Sequence, residues 1–524
     1  MHNFSITQRI RKHVRQSACG VVAAQHKIAA RVGAEVLRDG GDAIDAAVAV
    51  SFAIGVVEPW MSGPMGGGMM TVWRDGAEAA ECIRFGMRSP RALDPADYPI
   101  ERGRKASDLF PWPAVEGDRN ITGATAVAVP GTVAGMALAH ESWGTRPWAE
   151  LLAPAIRLAK EGMQIDWYAS LLIASAARNL AEDPDAAAMF LVNGCWPVVA
   201  GWTTLSDARL DQSAAASTLQ RLADGGSADF YRGDVGAALV ADVRAKGGSL
   251  SEADLAAYQA TRAPAIAHAY RGGRVMAPSG FSAGPDLVHA LTLMEARFEP
   301  GPRPDGVSYS AIAGALFEAY SHRLATAGDT GEDERVPACT TSFSIVDRRG
   351  NMVAVTQTLL SMFGAAIVSP RTGYLINNGI MWFDPEPGKP NSLGPDKACL
   401  MNVCPTLGEG PAGRFAIGAS GGRKIMPAVT NLTSFLLDHG MDLETAFHQP
   451  RIDVSGGQSI VADEALPPEV HAALEAVAPV STAPRTPHPY PFAVPAGVMR
   501  RGGINAGCTE ITTPWGDAVH EDEV

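Results

Sequence analysis

The chain changes character near residue 338, and that change limits the folds open to it. From about Trp148 to Ala260 the apolar residues recur at helical spacing, and Ser308–Ala325 reads as one more strong helix. Beyond a polar connector at Thr326–Pro337, Thr341–Asp347 and Met352–Thr358 are short alternating or β-branched runs. Arg348-Arg349-Gly350-Asn351 joins them as a hairpin turn. Gly373–Asn377 and Arg414–Gly418 read as further strands, followed by helices at Ile425–His439 and from Leu443 to Phe447. Strands and helices arrive in blocks, which points to a layered α+β fold rather than a doubly wound parallel sheet.

The N-terminal part adds a helix predicted over Ala24–Leu37 and stopped by Gly40-Gly41. Asp42 is placed to cap a second helix, Ala43–Val57, which is apolar nearly all round and therefore expected to be buried. That helix contains Asp45 and is too short to span a bilayer. A loop from Met61 to Met69 leads into a strand over Met69–Trp73. The first residues, Met1-His2-Asn3-Phe4-Ser5-Ile6, lack the apolar run of a signal peptide, so a cytoplasmic protein with no membrane contact is expected. A net charge of −13 argues against a nucleic-acid partner. Seven scattered cysteines, an odd number, argue against a disulfide framework.

Common chemical motifs are missing. The chain has no Gly-x4-Gly-Lys phosphate loop, no His-Glu-x-x-His and no Cys-x-x-Cys. Cys399 and Cys404 have no neighbouring His, so no metal site is expected. The glycine run Gly63–Gly68 does not fit a dinucleotide fingerprint; it reads as a turn where backbones approach closely. Thr340-Thr341-Ser342-Phe343-Ser344, read alone, is only the start of a strand.

Taken together, the motifs resemble the γ-glutamyltranspeptidase family of N-terminal-nucleophile hydrolases over nearly the whole chain. The start is carried by Gly41-Asp42-Ala43-Ile44-Asp45-Ala46-Ala47, Glu58-Pro59, Ser62-Gly63 and Gly66-Gly67-Gly68. The middle is carried by Asp229-Phe230-Tyr231-Arg232-Gly233, Gly247-Gly248, Asp254-Leu255-Ala256-Ala257-Tyr258 and Tyr270-Arg271-Gly272. Thr340-Thr341, Phe343-Ser344, Gly350-Asn351, Thr356, Thr358-Leu359 and Phe363-Gly364 match the catalytic segment. Asn377-Asn378, Pro405-Thr406, Gly421-Gly422 and Pro450-Arg451 match the C-terminal part.

The resemblance implies a four-layer αββα fold built jointly by two subunits of one precursor. It implies self-cleavage between Cys339 and Thr340, giving residues 1–339 and 340–524, which stay packed together. Thr340 would then be the nucleophile, with its own α-amine, whose ordinary pKa is about 7.7–8.0, as the base. Thr358 would contact the nucleophile, and the backbone amides of Gly421 and Gly422 would form the oxyanion hole. No cofactor is implied. The partners implied are a small-molecule amide, water or an amine as acceptor, and the other subunit; a homodimer of the processed pair is allowed.

Departures from the family pattern gather at substrate recognition. Where relatives carry an Arg for the glutamyl carboxylate, the register Phe85…Pro90 puts Gly86, with Arg88 two residues on as a candidate replacement. The family's Ser-Ser pair is Met401-Asn402, its Asn after the second threonine is Leu360, and its acidic residue beyond Asn378 is Trp382. Arg423-Lys424, directly after the glycine pair, offers another cation pair; Ser342 stands where relatives often have His. A site stripped of polar partners should relax or move its preference. The expected function is therefore a self-processing amidohydrolase acting on a small acid amide or N-acyl amide. Substrate contacts are expected from Arg88, Asn378, Trp382, Asn402, Arg423 and Lys424. The alternatives are a true γ-glutamyltransferase or glutathione hydrolase with a rearranged carboxylate site, and an unprocessed, non-catalytic scaffold.

Overall fold

The computed structural model describes residues 10–107, 110–199, 207–329, 341–455 and 457–524. Cys339 and Thr340 lie outside the described residues, as does most of the connector before them.

Two seven-stranded sheets lie face to face. One runs, in spatial order, Asp517–His520, Val21–Ala24, Thr341–Val346, Met352–Thr358, Gly67–Trp73, Glu81–Phe85, Thr261–Pro264. The other runs Arg15–Ser17, Ile504–Thr509, Val494–Arg501, Gly413–Ser420, Thr406–Gly410, Gly273–Ala277, Ile266–Tyr270. Each sheet interleaves strands from before and after residue 340, so neither segment completes a sheet alone. Small and apolar side chains fill the space between the sheets, among them Ala23, Trp73, Val346, Ala354, Ala416 and Val498. Helices cover both outer faces. Lys27–Arg38 and Ala43–Val57 pack on the first sheet, while Gly284–Arg297 and Ile425–Leu437 pack on the second. This is the four-layer αββα arrangement.

The predicted hairpin is present: Thr341–Val346 pairs antiparallel with Met352–Thr358 from Thr341↔Gln357 to Val346↔Met352. Its turn is organised by Asp347, whose Oδ1 accepts from the amides of Arg349, Gly350 and Asn351. The other carboxylate oxygen accepts from Ala43 N at 3.3 Å, at the start of the Ala43–Val57 helix. That helix begins with a capping box, Asp42 accepting from Asp45 N and Asp45 from Asp42 N. All fifteen of its residues are buried. At 1.5 Å per residue it is about 22 Å long, close to the span of the strand beside it, so its far end arrives at Thr341.

Two expectations need correction. The helix predicted from Ala24 starts at Lys27, capped by His26, and Val21–Ala24 is a strand paired with Phe343–Val346. A four-residue apolar run carries too little periodicity to separate the two. The Gly373–Asn377 strand is reduced to Tyr374–Leu375. The predicted helices in Trp148–Ala260 and at Ser308–Ala325 are present, the latter as Gly306–Thr326.

Candidate active site

The site gathers where the hairpin opens. Thr341 begins one strand and Thr358 ends the other, at the same end of the ladder. Strand alternation divides the first strand in two. Phe343 and Ile345 pack with the helix layer, while Ser342 and Ser344 face the second sheet, Ser344 donating to Ala496 O. There the sheets approach so closely that a Cβ at Gly418 would lie 2.3 Å from Ser342 Oγ.

The glycine run behaves as a close-approach loop. A Cβ on Gly66 would lie 2.1 Å from Thr358 O, and one on Gly68 would lie 2.3 Å from Thr356 O. No side chain fits between these backbones. Thr358 Oγ1 accepts from Leu360 N at 2.6 Å, which turns the chain sharply after the strand. Leu360 takes φ +85, the left-handed region that a leucine rarely adopts.

The turn is braced from three sides. Leu359 N donates to Met61 O, Phe363 N to Trp60 O, and Asn378 N to Leu359 O. The Asn378 side chain is fully engaged: Nδ2 donates to Ile121 O and Ser361 Oγ, and Oδ1 accepts from Ser361 N. Asn378 therefore holds the loop in which Leu360 sits.

The departures from the family pattern converge. Leu360, Trp382 and Met401 share one buried apolar cluster with Met87, Met381 and Leu400. A Cβ built on Gly86 would meet Met401 Cε at 2.9 Å. Met401 thus fills the place where an arginine at position 86 would begin. Asn402 is 1% exposed, and its Nδ2 has no hydrogen-bond partner among the described residues. Arg88 is directed elsewhere: its guanidinium binds Asp396, with the side chain 38% exposed.

Gly421 and Gly422 follow the Gly413–Ser420 strand with φ +134 and +68. A Cβ on Gly421 would lie 2.9 Å from Ala493 Cα. Their amides stand at the start of a short helical turn that runs into Ile425–Leu437, where N–H groups lack intrahelical acceptors. Gln25 ties this corner to the first sheet, donating to Ser420 Oγ at 2.6 Å and Val494 O at 2.7 Å. Lys424 Nζ donates to Tyr490 O at 2.6 Å, and Tyr320 OH donates to Arg423 O. Both cations lie close enough to buried Asp453 to oppose the upward push that burial gives its carboxyl.

Sequence reasoning gave no role to Glu58. It caps the C-terminal end of the Ala43–Val57 helix, is 6% exposed, and accepts from Thr341 Oγ1 at 3.4 Å. Burial pushes its carboxyl up to about 8, opposed among the described residues by that hydrogen bond. The available signal was a lone acid directly after a fifteen-residue apolar helix, at the end where the dipole disfavours an anion. An aromatic group, Tyr168, Tyr490, Trp515 and Trp60, lies beside it. Trp515 packs 4.8 Å from Tyr168 and 5.8 Å from Trp60 by ring centroids. Tyr168 and Tyr490 share a hydroxyl contact and both feel the charge of Glu58.

The chain matches the gamma-glutamyltranspeptidase family over residues 29–339 and 324–510. It belongs to that family. The acylase ACY 1 proenzyme of Pseudomonas sp. (strain SE83) is 34% identical over 497 residues, 87% of this chain and 86% of that one. The glutathione hydrolase proenzyme of Bacillus subtilis (strain 168) is 29% identical over 507 residues, 86% of this chain and 83% of the relative. Cephalosporin acylase from Bacillus halodurans has the same fold, with a TM-score of 0.85 and 98% of each chain covered at 23% identity. The protein is an N-terminal-nucleophile enzyme that acts on amide bonds. Among the described residues no helix is long and apolar enough to cross a membrane, and no cluster of three His, Cys, Asp or Glu could hold a metal ion.

Proposed function

We propose that this protein is a self-processing acylase. It cleaves itself between Cys339 and Thr340 and then hydrolyses N-acyl amides through an acyl-threonine. The pairing of Thr341 with Gln357, one residue before Thr358, supports this reading. In each turnover the Thr340 hydroxyl attacks the amide carbonyl and its proton passes to the α-amine. The C–N bond breaks as the departing amine takes up that proton. Water then attacks the ester, releasing the acid and restoring the hydroxyl. The amides of Gly421 and Gly422 donate to the tetrahedral oxygen; such a donor contributes about 2.7–4 kcal/mol.

The observation that carries the substrate class is the packing of Met401 against Gly86 within the apolar cluster holding Leu360 and Trp382. A γ-glutamyl group would bring a charged amine and carboxylate against these apolar side chains, none of which pairs with them, a cost of several kcal/mol. An apolar acyl group loses nothing there. The open Asn402 amide supplies one donor for a polar atom of the acyl chain, and Arg423 and Lys424 favour a carboxylate on the substrate. The greater similarity to an acylase proenzyme than to a glutathione hydrolase proenzyme supports the same reading.

Mass spectrometry tests it. After incubation with an aromatic N-acyl amide, the subunit beginning at Thr340 is expected to carry one acyl adduct, absent in Thr340→Ala. An adduct formed only by γ-glutamyl compounds would overturn the proposal.

A further inference from the structure

Glu58 is a buried acid at the wrong end of a helix. The Ala43–Val57 helix points its carbonyl end, and so its partial negative charge, at this residue. Burial and dipole both favour the neutral acid, and among the described residues the hydroxyl of Thr341 is the one group whose hydrogen bond favours the anion. Resting on the reading of Thr340 as nucleophile, we propose that Glu58 is a positioning residue that anchors Thr341 through its neutral carboxyl and sets the alkaline limit of acyl transfer. While it is uncharged, it leaves the base free and does not oppose a developing oxyanion. Once ionised, it places a negative charge beside the residue that follows the nucleophile. That charge raises the barrier to a negative tetrahedral intermediate and holds a nearby amine as ammonium.

The α-amine of Thr340, the proposed base, has its ordinary pKa of about 7.7–8.0 in the same range, but its deprotonation raises activity where that of Glu58 lowers it; the described groups around Glu58 titrate elsewhere. Tyr168, on the Trp167–Leu180 helix, is pushed far up by burial, and Tyr490, on the segment before the Val494–Arg501 strand, is pushed up to about 12. His26, the cap of the Lys27–Arg38 helix, is pushed down to about 4 by burial. None of the three changes charge near 8. Asp166 bonds Trp515 Nε1 and Lys424 bonds Tyr490 O, so each is tied to a group of its own. The strand partners at the site, Ser342, Thr356, Gln357 and Thr358, carry no charge.

The folded carboxyl holds its proton up to about 8, whereas the unfolded one releases it near 4.5. Between those values the folded state binds more protons, so raising the pH across that window lowers stability.

Two readouts test the proposal on the full chain. The first is kcat/KM against pH with an uncharged N-acyl amide. The wild type is expected to fall about tenfold per unit above pH ~8, as one ionisation requires. Glu58→Gln should lack that limb, and Thr341→Val, which removes the bond that favours the anion, should move it to higher pH. The second is the denaturation midpoint between pH 5 and 8, where the wild type should lose stability relative to Glu58→Gln as the pH rises. An alkaline limb unchanged in both variants, or midpoints with the same pH dependence, overturns the role of Glu58. A wild-type chain that neither processes nor turns over overturns the nucleophile reading and this role with it, whereas turnover with an unchanged limb removes only the role of Glu58. Should Glu58→Gln fail to fold, the Thr341→Val shift decides alone.

Discussion

Two neighbouring regions of this molecule are built on opposite terms. At the mouth of the hairpin, Gly66, Gly68, Gly418 and Gly421 let backbones and oxygens approach to distances that exclude any side chain. Several polar groups there brace the backbone, as in the bonds of Thr358 Oγ1 to Leu360 N and of Gln25 to Ser420. A few residues away, the wall formed by Leu360, Trp382, Met401 and the space over Gly86 is apolar. On the proposed reading, the first region keeps the family's catalytic motif apart from Ser342, and the second replaces its recognition groups. On that reading, the bond-breaking geometry and the choice of substrate are held by separate sets of residues. One can be kept while the other is rebuilt.

The largest expected effect comes from the first region. Thr340→Ala should leave one band of the full 54.9 kDa on a denaturing gel and lower turnover by at least ~10³-fold. Processing in that variant would break the comparison outright. Gly421→Ala is next. Its φ of +134 and the 2.9 Å approach to Ala493 Cα force the amide off line, with about 10²–10³-fold lower kcat expected and little change in KM.

The second region should answer differently. Gly86→Arg with Met401→Ser restores the polar pair and the space for it. It is expected to shift kcat/KM toward γ-glutamyl-p-nitroanilide by roughly tenfold or more relative to an N-acyl amide. Gly86→Arg alone should chiefly destabilise, because Met401 occupies its path.

Leu360→Asn sets two effects against each other. Asn tolerates a left-handed backbone, relieving strain of about 1–3 kcal/mol, but it removes a buried leucine worth roughly 2–5 kcal/mol and buries an amide. Burial wins, and a lower thermal midpoint is expected. The smallest effect belongs to Arg88→Ala. Its half-exposed pair with Asp396 contributes at most ~1 kcal/mol, and substrate preference should not move.

Much of this was legible in the sequence, for physical reasons. The hairpin showed itself through β-branched runs around Gly350-Asn351, and the buried helix through fifteen residues of which only Asp45 carries a charge. The glycine run read as a close approach, which the contact of Gly66 with Thr358 bears out. What stayed hidden depends on long-range packing. Val21–Ala24 is too short for its period to show, and Val494–Arg501 and Ile504–Thr509 are strands because of their partners. Gly86 and Met401 were each visible as departures, but their contact spans more than three hundred positions. Glu58 was visible as a motif residue, and only the burial around it gave it a chemical identity.

The central claim is that the apolar wall has redirected an unchanged reaction. The most direct measurement is the ratio of kcat/KM for an aromatic N-acyl amide to that for γ-glutamyl-p-nitroanilide, taken on the processed wild-type protein. The account predicts a ratio well above one that falls in Gly86→Arg with Met401→Ser. A wild-type ratio at or below one would contradict it.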